Sequence, residues 1–468
     1  MSHSHLDASQ LIFSYQSGEV TPIEVVNGLI DRITSLDSQL NAITEVLEDA
    51  SVQADAATQA WSTGDTTGRP LLGVPVLIKE KHRIKGKIVD QAVPATGSPS
   101  QDDHPIVSRL REAGAIIFGR TANPEFCAAT FTDSLAYGTT TNPWDIVTSP
   151  GGSSGGSGAA LAAGFAPLAT GSDIGGSTRI PAALCGVVGY KAPYGVVPGD
   201  HPSTMDWYRS DSAMARTVSD TLLMHNVIAG QHRTDPHSLP KQEVVPRRTF
   251  KAKIGFSYSL GDYAVCDSHM TAMHNLHRVL MDSGFQVKEV NPCWTTEELL
   301  TTALAHYGHI LAPAIATEIE KTNAEVSPYV VQFIDAALKQ ARSIPLFKTF
   351  EMETKIRREL LTTMSGIDVL LTPTTTKDSF PASAPLNSFD ESGNFYWKDY
   401  LTIAFNIANR HPVLNVPSGV SSDRHPLGVQ IVGQPHDEQA VFEVGLHIER
   451  LCPWSHPFTK SAELLGSR

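Results

Sequence analysis

Between Pro150 and Tyr190 the chain reads PGGSSGGSGAALAAGFAPLATGSDIGGSTRIPAALCGVVGY, and from Ile146 to Tyr190 it holds one acid, Asp173, and one base, Arg179. Charged residues make up 18% of the whole sequence, so a run this long and this neutral is expected inside the protein. Its glycines and alanines let backbones approach closely there. The hydroxyls it carries are therefore expected to be buried as well.

Two serine clusters punctuate the stretch. Gly151-Gly152-Ser153-Ser154-Gly155-Gly156-Ser157 leads into an alanine-rich run, Ala159 to Ala163, that reads as a helix. Asp173-Ile174-Gly175-Gly176-Ser177 follows a short buried strand over Pro167 to Gly171 and precedes a second helix, Arg179 to Val188. Flexible Gly/Ser linkers would not be followed at once by runs that want a core. A phosphate loop needs G-x-x-x-x-G-K-[ST] or G-x-G-x-x-G, and neither spacing is found in the stretch. The frames around Ser153 and Ser154 fit the G-x-S-x-G elbow of α/β-hydrolase esterases. That elbow needs a buried strand leading in, whereas here Pro143 and Pro150 flank an approach without an apolar run.

Taken together, the motifs resemble the amidase signature family. Three runs carry the resemblance: G-G-S-S-G-G-S, then D-x-G-G-S-x-R-x-P-A from Asp173 to Ala182, then C-G-x-x-G-x-K from Cys185 to Lys191. Upstream, Gly73-Val74-Pro75-Val76-Leu77-Ile78-Lys79 matches the family's lysine context. The resemblance is strong over residues 70–230, weaker at both ends and very weak over 231–365. It implies an α/β fold, the amidase-signature fold, with a central twisted mixed β-sheet covered on both faces by helices in one domain spanning 1–468. The mainly helical 297–363 region is then a variable insertion and a candidate source of substrate specificity.

The resemblance further implies a Ser-Ser-Lys triad that hydrolyses amides. Ser177 is the nucleophile, Lys79 the base and Ser153 the hydroxyl relaying protons between them, with the Gly152–Ser153 peptide cis as in relatives. The N–H groups of Ile174, Gly175, Gly176 and Ser177 form the oxyanion hole, while Ser154 and Ser172 support the triad. Leu77 and Ile78 would bury the Lys79 stem, and the serines supply polar partners without charge. Desolvation disfavours an ammonium, so a lysine in such surroundings loses its proton readily and becomes a usable base. Asp173 and Arg179, alone in the neutral stretch, are expected to pair, because an unpaired buried charge is costly.

Two departures stand out. Relatives often continue Asp-Asn after the lysine, but Glu80-Lys81-His82 follows here, with His82 expected at the surface or beside the site rather than in catalysis. Where a small residue is common, Arg410 and His411 precede Pro412; Arg410 is either a contact for an acidic substrate group or an exposed arginine.

Elsewhere the chain alternates helices and strands. Residues 7–60 read as helices, Ser212 to Gly230 as one helix, and Lys253 to Val290 as a βαβ unit. Glu438 to Leu451 reads as a closing helix. His306 and His309 share a helical face with no third ligand nearby, so no metal is expected, nor an organic cofactor. The net charge of −13 argues against nucleic acid and anionic membranes as partners. Five cysteines without a C-x-x-C pair suggest neither disulfide framework nor zinc site. The first residues lack a basic flank and an apolar run, and no segment approaches a membrane span, which makes the cytoplasm the default location. The expected activity is a stand-alone amidase acting on a small amide, carbamate or hydrazide, with homodimerisation allowed by the resemblance. The competing reading is the glutamine-hydrolysing component of a tRNA-dependent amidotransferase complex.

Overall fold

The computed structural model describes residues 3–94, 97–247, 251–382 and 396–454. Among them, eleven strands form one sheet. In chain order these are β1 (Ile43–Val46), β2 (Pro75–Lys79), β3 (Ile116–Thr121), β4 (Leu168–Asp173), β5 (Val188–Lys191), β6 (Ser210–Ala215), β7 (Lys253–Phe256), β8 (Gln286–Glu289), β9 (Val369–Pro373), β10 (Val413–Val420) and β11 (Pro426–Gly433). Their spatial order is β1-β3-β2-β4-β6-β5-β10-β11-β9-β7-β8. The sheet is mixed: β2 runs parallel to β3 and β4, whereas β6, β5, β10, β11 and β9 pair antiparallel in turn.

Side chains alternate across the sheet with period two. Val76, Ile78, Ile117, Leu168, Leu371 and Leu414 enter one core, beneath helices Pro105–Glu112, Val218–Ile228, Asp267–Asp282 and Glu438–Leu451. Leu77, Phe118, Ala169 and Met214 face the other way, onto helices Pro22–Leu40, Ala50–Thr63 and Gly155–Ala162. Farther along that second face, Leu370, Val413 and Val432 meet the helices Thr296–His309, Leu311–Thr322, Pro328–Ser343 and Leu346–Thr363. Helices on both faces are what the sequence led us to expect.

Three expectations change. Ser212 to Gly230 is not one helix: Ser210–Ala215 is a central strand between β4 and β5, and only Val218–Ile228 is helical. Pairing on both edges overrides the helix propensity of its alanines and methionine. Within 7–60, β1 separates the helices Pro22–Leu40 and Ala50–Thr63. Finally, Thr296–Thr322 is long and apolar enough to pass for a membrane span by length and composition. It is broken at Ile310 into two helices, and 56% of its apolar window is buried within the protein.

The neutral stretch lies inside, as expected. Every residue of helix Gly155–Ala162 is buried. A Cβ at Gly152 would sit 2.2 Å from the Phe131 carbonyl oxygen, and one at Gly156 would sit 2.4 Å from the Ala122 nitrogen. Only glycine permits these approaches.

Candidate active site

Because β2 and β4 are parallel, their C-terminal ends lie at the same edge of the sheet, bringing Lys79 beside Ser172 and Asp173. Ligand sites in α/β sheets gather at such carboxyl ends. The loop before helix Gly155–Ala162 adds Ser153 and Ser154, and the turn before helix Arg179–Cys185 adds Ser177. The Gly152–Ser153 peptide is cis.

Lys79 is 0% exposed, and its Nζ contacts three hydroxyls: Ser153 Oγ at 2.7 Å, Ser154 Oγ at 3.0 Å and Ser172 Oγ at 3.0 Å. Among the described residues no carboxylate bonds it. Burial pushes its pKa down to about 8, helped by the nearby positive charge of Lys81 and opposed by Cys127 and Asp211. As an ammonium it donates to all three serines. As a free amine it keeps a lone pair for the Ser153 proton.

Ser177 is 7% exposed and is tied to the same centre by its carbonyl, which accepts the Ser154 N–H at 3.0 Å. Around it the turn is anchored by charge. Asp173 and Arg179 form a fully buried bidentate pair, Nη2 to Oδ1 at 2.8 Å and Nε to Oδ2 at 2.9 Å. The other three guanidinium protons go to Thr402 O, Gln430 Oε1 and Asn406 Oδ1, so all five donors are used. Burial alone would raise the Asp173 pKa, but the Arg179 charge and hydrogen bonds, with Asn406, hold it below the usual carboxylate range.

One expected oxyanion donor is otherwise engaged. The Gly176 N–H donates to Asp173 Oδ1 at 2.8 Å. The Ile174, Gly175 and Ser177 N–H groups have no acceptor among the described residues, and Gly175 is the half-exposed member of the turn. At Gly176 φ is +119°, and a Cβ there would lie 2.3 Å from Thr402 Oγ1.

The residues after Lys79 support the strand end from behind. Of the two places expected for His82, it takes the one beside the site: it is fully buried, with Nδ1 2.9 Å from Thr170 Oγ1 and Nε2 2.9 Å from Asp211 Oδ1. Thr170 Oγ1 in turn accepts the Lys79 backbone N–H at 2.8 Å. Burial pushes the His82 pKa down to about 3, so it stays neutral. Lys81 pairs with Asp211 at 3.1 Å, and buried Glu80 accepts from Arg120 Nη2 at 2.8 Å.

His82, His104 and Asp211 form the one group with metal-ligand geometry among the described residues. The donor set does not suit a metal. His104 Nδ1 accepts the Ile106 N–H at 3.3 Å, so the neutral ring carries its proton on Nε2, the nitrogen that faces Asp211. Lys81 already supplies a cation to the same carboxylate.

Other candidates disperse. His306 is buried between Asp206 and Glu353, while His309 bonds the Ile344 carbonyl, so the two make no joint site. Arg410 donates to the Tyr194 carbonyl at 3.0 Å and lies over the Tyr194 ring. His411 is buried against the Gly433 carbonyl. The esterase elbow is absent: no strand among the described residues leads into Ser153, and no histidine among them bonds Ser153 or Ser154.

Sequence reasoning missed Thr170, Asp211, Tyr307, Thr402, Asn406 and Gln430. The one available signal was polar residues inside apolar runs, as at Thr402 and Asn406 in LTIAFNIA.

Comparison with known proteins places the chain in a family. The profile of the family described as Amidase matches residues 24–442. The chain is 30% identical over 474 residues to an acylamidase of Rhodococcus erythropolis, covering 96% of each chain. It is 31% identical to the A component of the glutamyl-tRNA(Gln) amidotransferase of Roseiflexus sp. (strain RS-1), covering 93% of this chain and 94% of that one. The solved structure of a bacterial aryl acylamidase of the amidase signature enzymes superposes with a TM-score of 0.86 over 99% of both chains at 23% identity.

Proposed function

The chain belongs to the amidase family, and from that premise we propose that it cleaves a carboxamide C–N bond through an acyl intermediate on Ser177. The observation that carries the reading is a fully buried lysine, its pKa lowered to about 8, held by three hydroxyls and by no carboxylate among the described residues. Ser177 Oγ attacks the amide carbonyl while its proton passes to Ser153 Oγ and the Ser153 proton passes to the Lys79 amine. A hydroxyl donates and accepts at once, which makes Ser153 fit for this relay. The oxyanion is stabilised by the N–H groups of Ile174, Gly175 and Ser177, each worth roughly 3 to 4 kcal/mol in such a role. Collapse returns a proton from Lys79 through Ser153 to the departing amine, and water then releases the acid by the same route.

Ser154 and Ser172 orient Lys79, and the Asp173–Arg179 pair braces the turn. Ile174 belongs to a core cluster with Phe131, Tyr208 and Tyr307, edged by half-buried Phe126, Trp207 and Trp397. These surroundings support a neutral substrate with an apolar or aryl group, cleaved as a linear amide. Free thiols at all five cysteines suit a reducing compartment, so we place the enzyme in the cytoplasm.

The test is release of amine or ammonia from aliphatic, aryl, carbamate and glutamine substrates by the purified chain, alongside Ser177→Ala and Lys79→Ala. Turnover lost by at least about 10³-fold in both variants is expected, on the scale of removing a nucleophile or its base. Turnover surviving Ser177→Ala would overturn the assignment. The similarity to the amidotransferase component favours a second reading, which predicts glutaminase activity only when a partner protein is added.

A further inference from the structure

The turn from Ile174 to Ser177 has every carbonyl tied. Ile174 O accepts from the Tyr307 hydroxyl at 2.8 Å and Gly175 O from Thr402 Oγ1 at 2.6 Å. Gly176 O accepts from the Ile180 N–H at 2.7 Å and Ser177 O from the Ser154 N–H at 3.0 Å. The last two bonds are local to the serine clusters. The first two come from distant segments, helix Thr296–His309 and the turn just before helix Ala404–Ile407.

A trans peptide is planar, with its C=O and N–H on opposite sides. Fixing one carbonyl therefore fixes the next residue's N–H. Thr402, by holding Gly175 O, turns the Gly176 N–H toward Asp173, where it is bonded. Tyr307, by holding Ile174 O, turns the Gly175 N–H to the side away from the tyrosine, and that N–H has no acceptor among the described residues. Gly175 has no side chain to restrict its rotation, and a Cβ there would sit 3.0 Å from Tyr307 Oη. The Ile174–Gly175 peptide thus depends on one remote hydroxyl for its orientation.

Tyr307 is itself rigidly placed. It is fully buried, edge-on to Trp397, and its neighbour His306 is bonded on both ring nitrogens, to Asp206 at 2.9 Å and Glu353 at 3.0 Å.

We propose that Tyr307 is a positioning residue for the oxyanion hole: its hydroxyl holds the Ile174–Gly175 peptide so that the Gly175 N–H faces the reacting carbonyl oxygen. This rests on the reading of Ser177 as nucleophile. It also gives the variable helical region a part in the chemistry itself, beyond shaping a pocket.

Tyr307→Phe removes one oxygen and keeps the ring packing. With a substrate turned over by the wild type, kcat is expected to fall on the order of 10- to 100-fold while KM stays within about twofold, since the lost orientation matters where charge develops on oxygen. Inhibition by an aryl boronic acid, which forms a tetrahedral adduct on a serine hydroxyl, should weaken by a similar factor. Wild-type kcat in Tyr307→Phe, or a loss confined to KM, overturns the proposal. Ser177→Ala separates the two levels. If that variant is inactive and Tyr307→Phe is normal, the positioning role alone fails; if it is active, the nucleophile assignment fails first.

Discussion

The buried lysine makes the pH dependence of turnover calculable. Lys79 starts from the ordinary lysine pKa of 10.5 and is brought to about 8 by loss of solvent. At about 1.36 kcal/mol per unit, that shift corresponds to roughly 3 kcal/mol against the ammonium. The active form carries the free amine, so kcat/KM for a substrate without titrating groups should rise about tenfold per pH unit up to an inflection near 8, then level. At about pH 6 it should be on the order of a hundredth of the plateau. An ordinary lysine would put the inflection above the range in which most proteins are assayed.

The ion pair of Lys81 and Asp211 supplies a sign test, because the two act on Lys79 in opposite directions. Lys81→Met should move the inflection to higher pH and Asp211→Asn to lower pH, each by on the order of 0.5 to 1 unit. The assay is kcat/KM from about pH 5.5 to 9.5 in buffers of constant ionic strength. An inflection near about 6.5, a flat profile between roughly 6 and 8, or shifts of the same sign in both variants would refute the free-lysine base.

Two further outcomes concern stability. Asp173→Asn leaves Arg179 buried without its counter-charge and should cost about 3 to 5 kcal/mol in chemical denaturation. The wild type's advantage over that variant, present at neutral pH, should disappear on acidification, since a carboxyl with a depressed folded pKa loses its contribution as it protonates. His306 behaves oppositely: burial alone would lower its pKa, but bonds to Asp206 and Glu353 raise it. Its contribution is complete below the unfolded value of 6.5 and is lost as pH rises through the folded value, so His306→Gln should flatten the fall in melting temperature on the alkaline side of 6.5.

Much of the site could be read from particular residues. A neutral run with a single acid and a single base was expected to be interior and its two charges to meet; from Thr148 to Tyr190 it is interior but for half-exposed Gly175, only Ile146 and Val147 at its start being exposed, and the two charges pair. The lysine within Gly73–Lys79 and the closing helix Glu438–Leu451 were legible as well. Reading failed where partners overrode local preference. Ser210–Ala215 is a strand because β4 and β5 flank it, although its alanines and methionine read as helix.

The sequence by itself determined the chemistry on offer: two serine clusters among glycines, one lysine at a strand end, and a stretch too neutral to face water. These are local properties, since burial preference and backbone permissiveness belong to each residue. Only the tertiary structure decided how the parts aim. Asp173 withdraws the Gly176 N–H, while Tyr307 and Thr402 orient neighbouring peptides from 133 and 227 residues away. Hydrogen bonds of that kind depend on where distant segments are carried by the sheet and its helices, and no spacing along the chain records it.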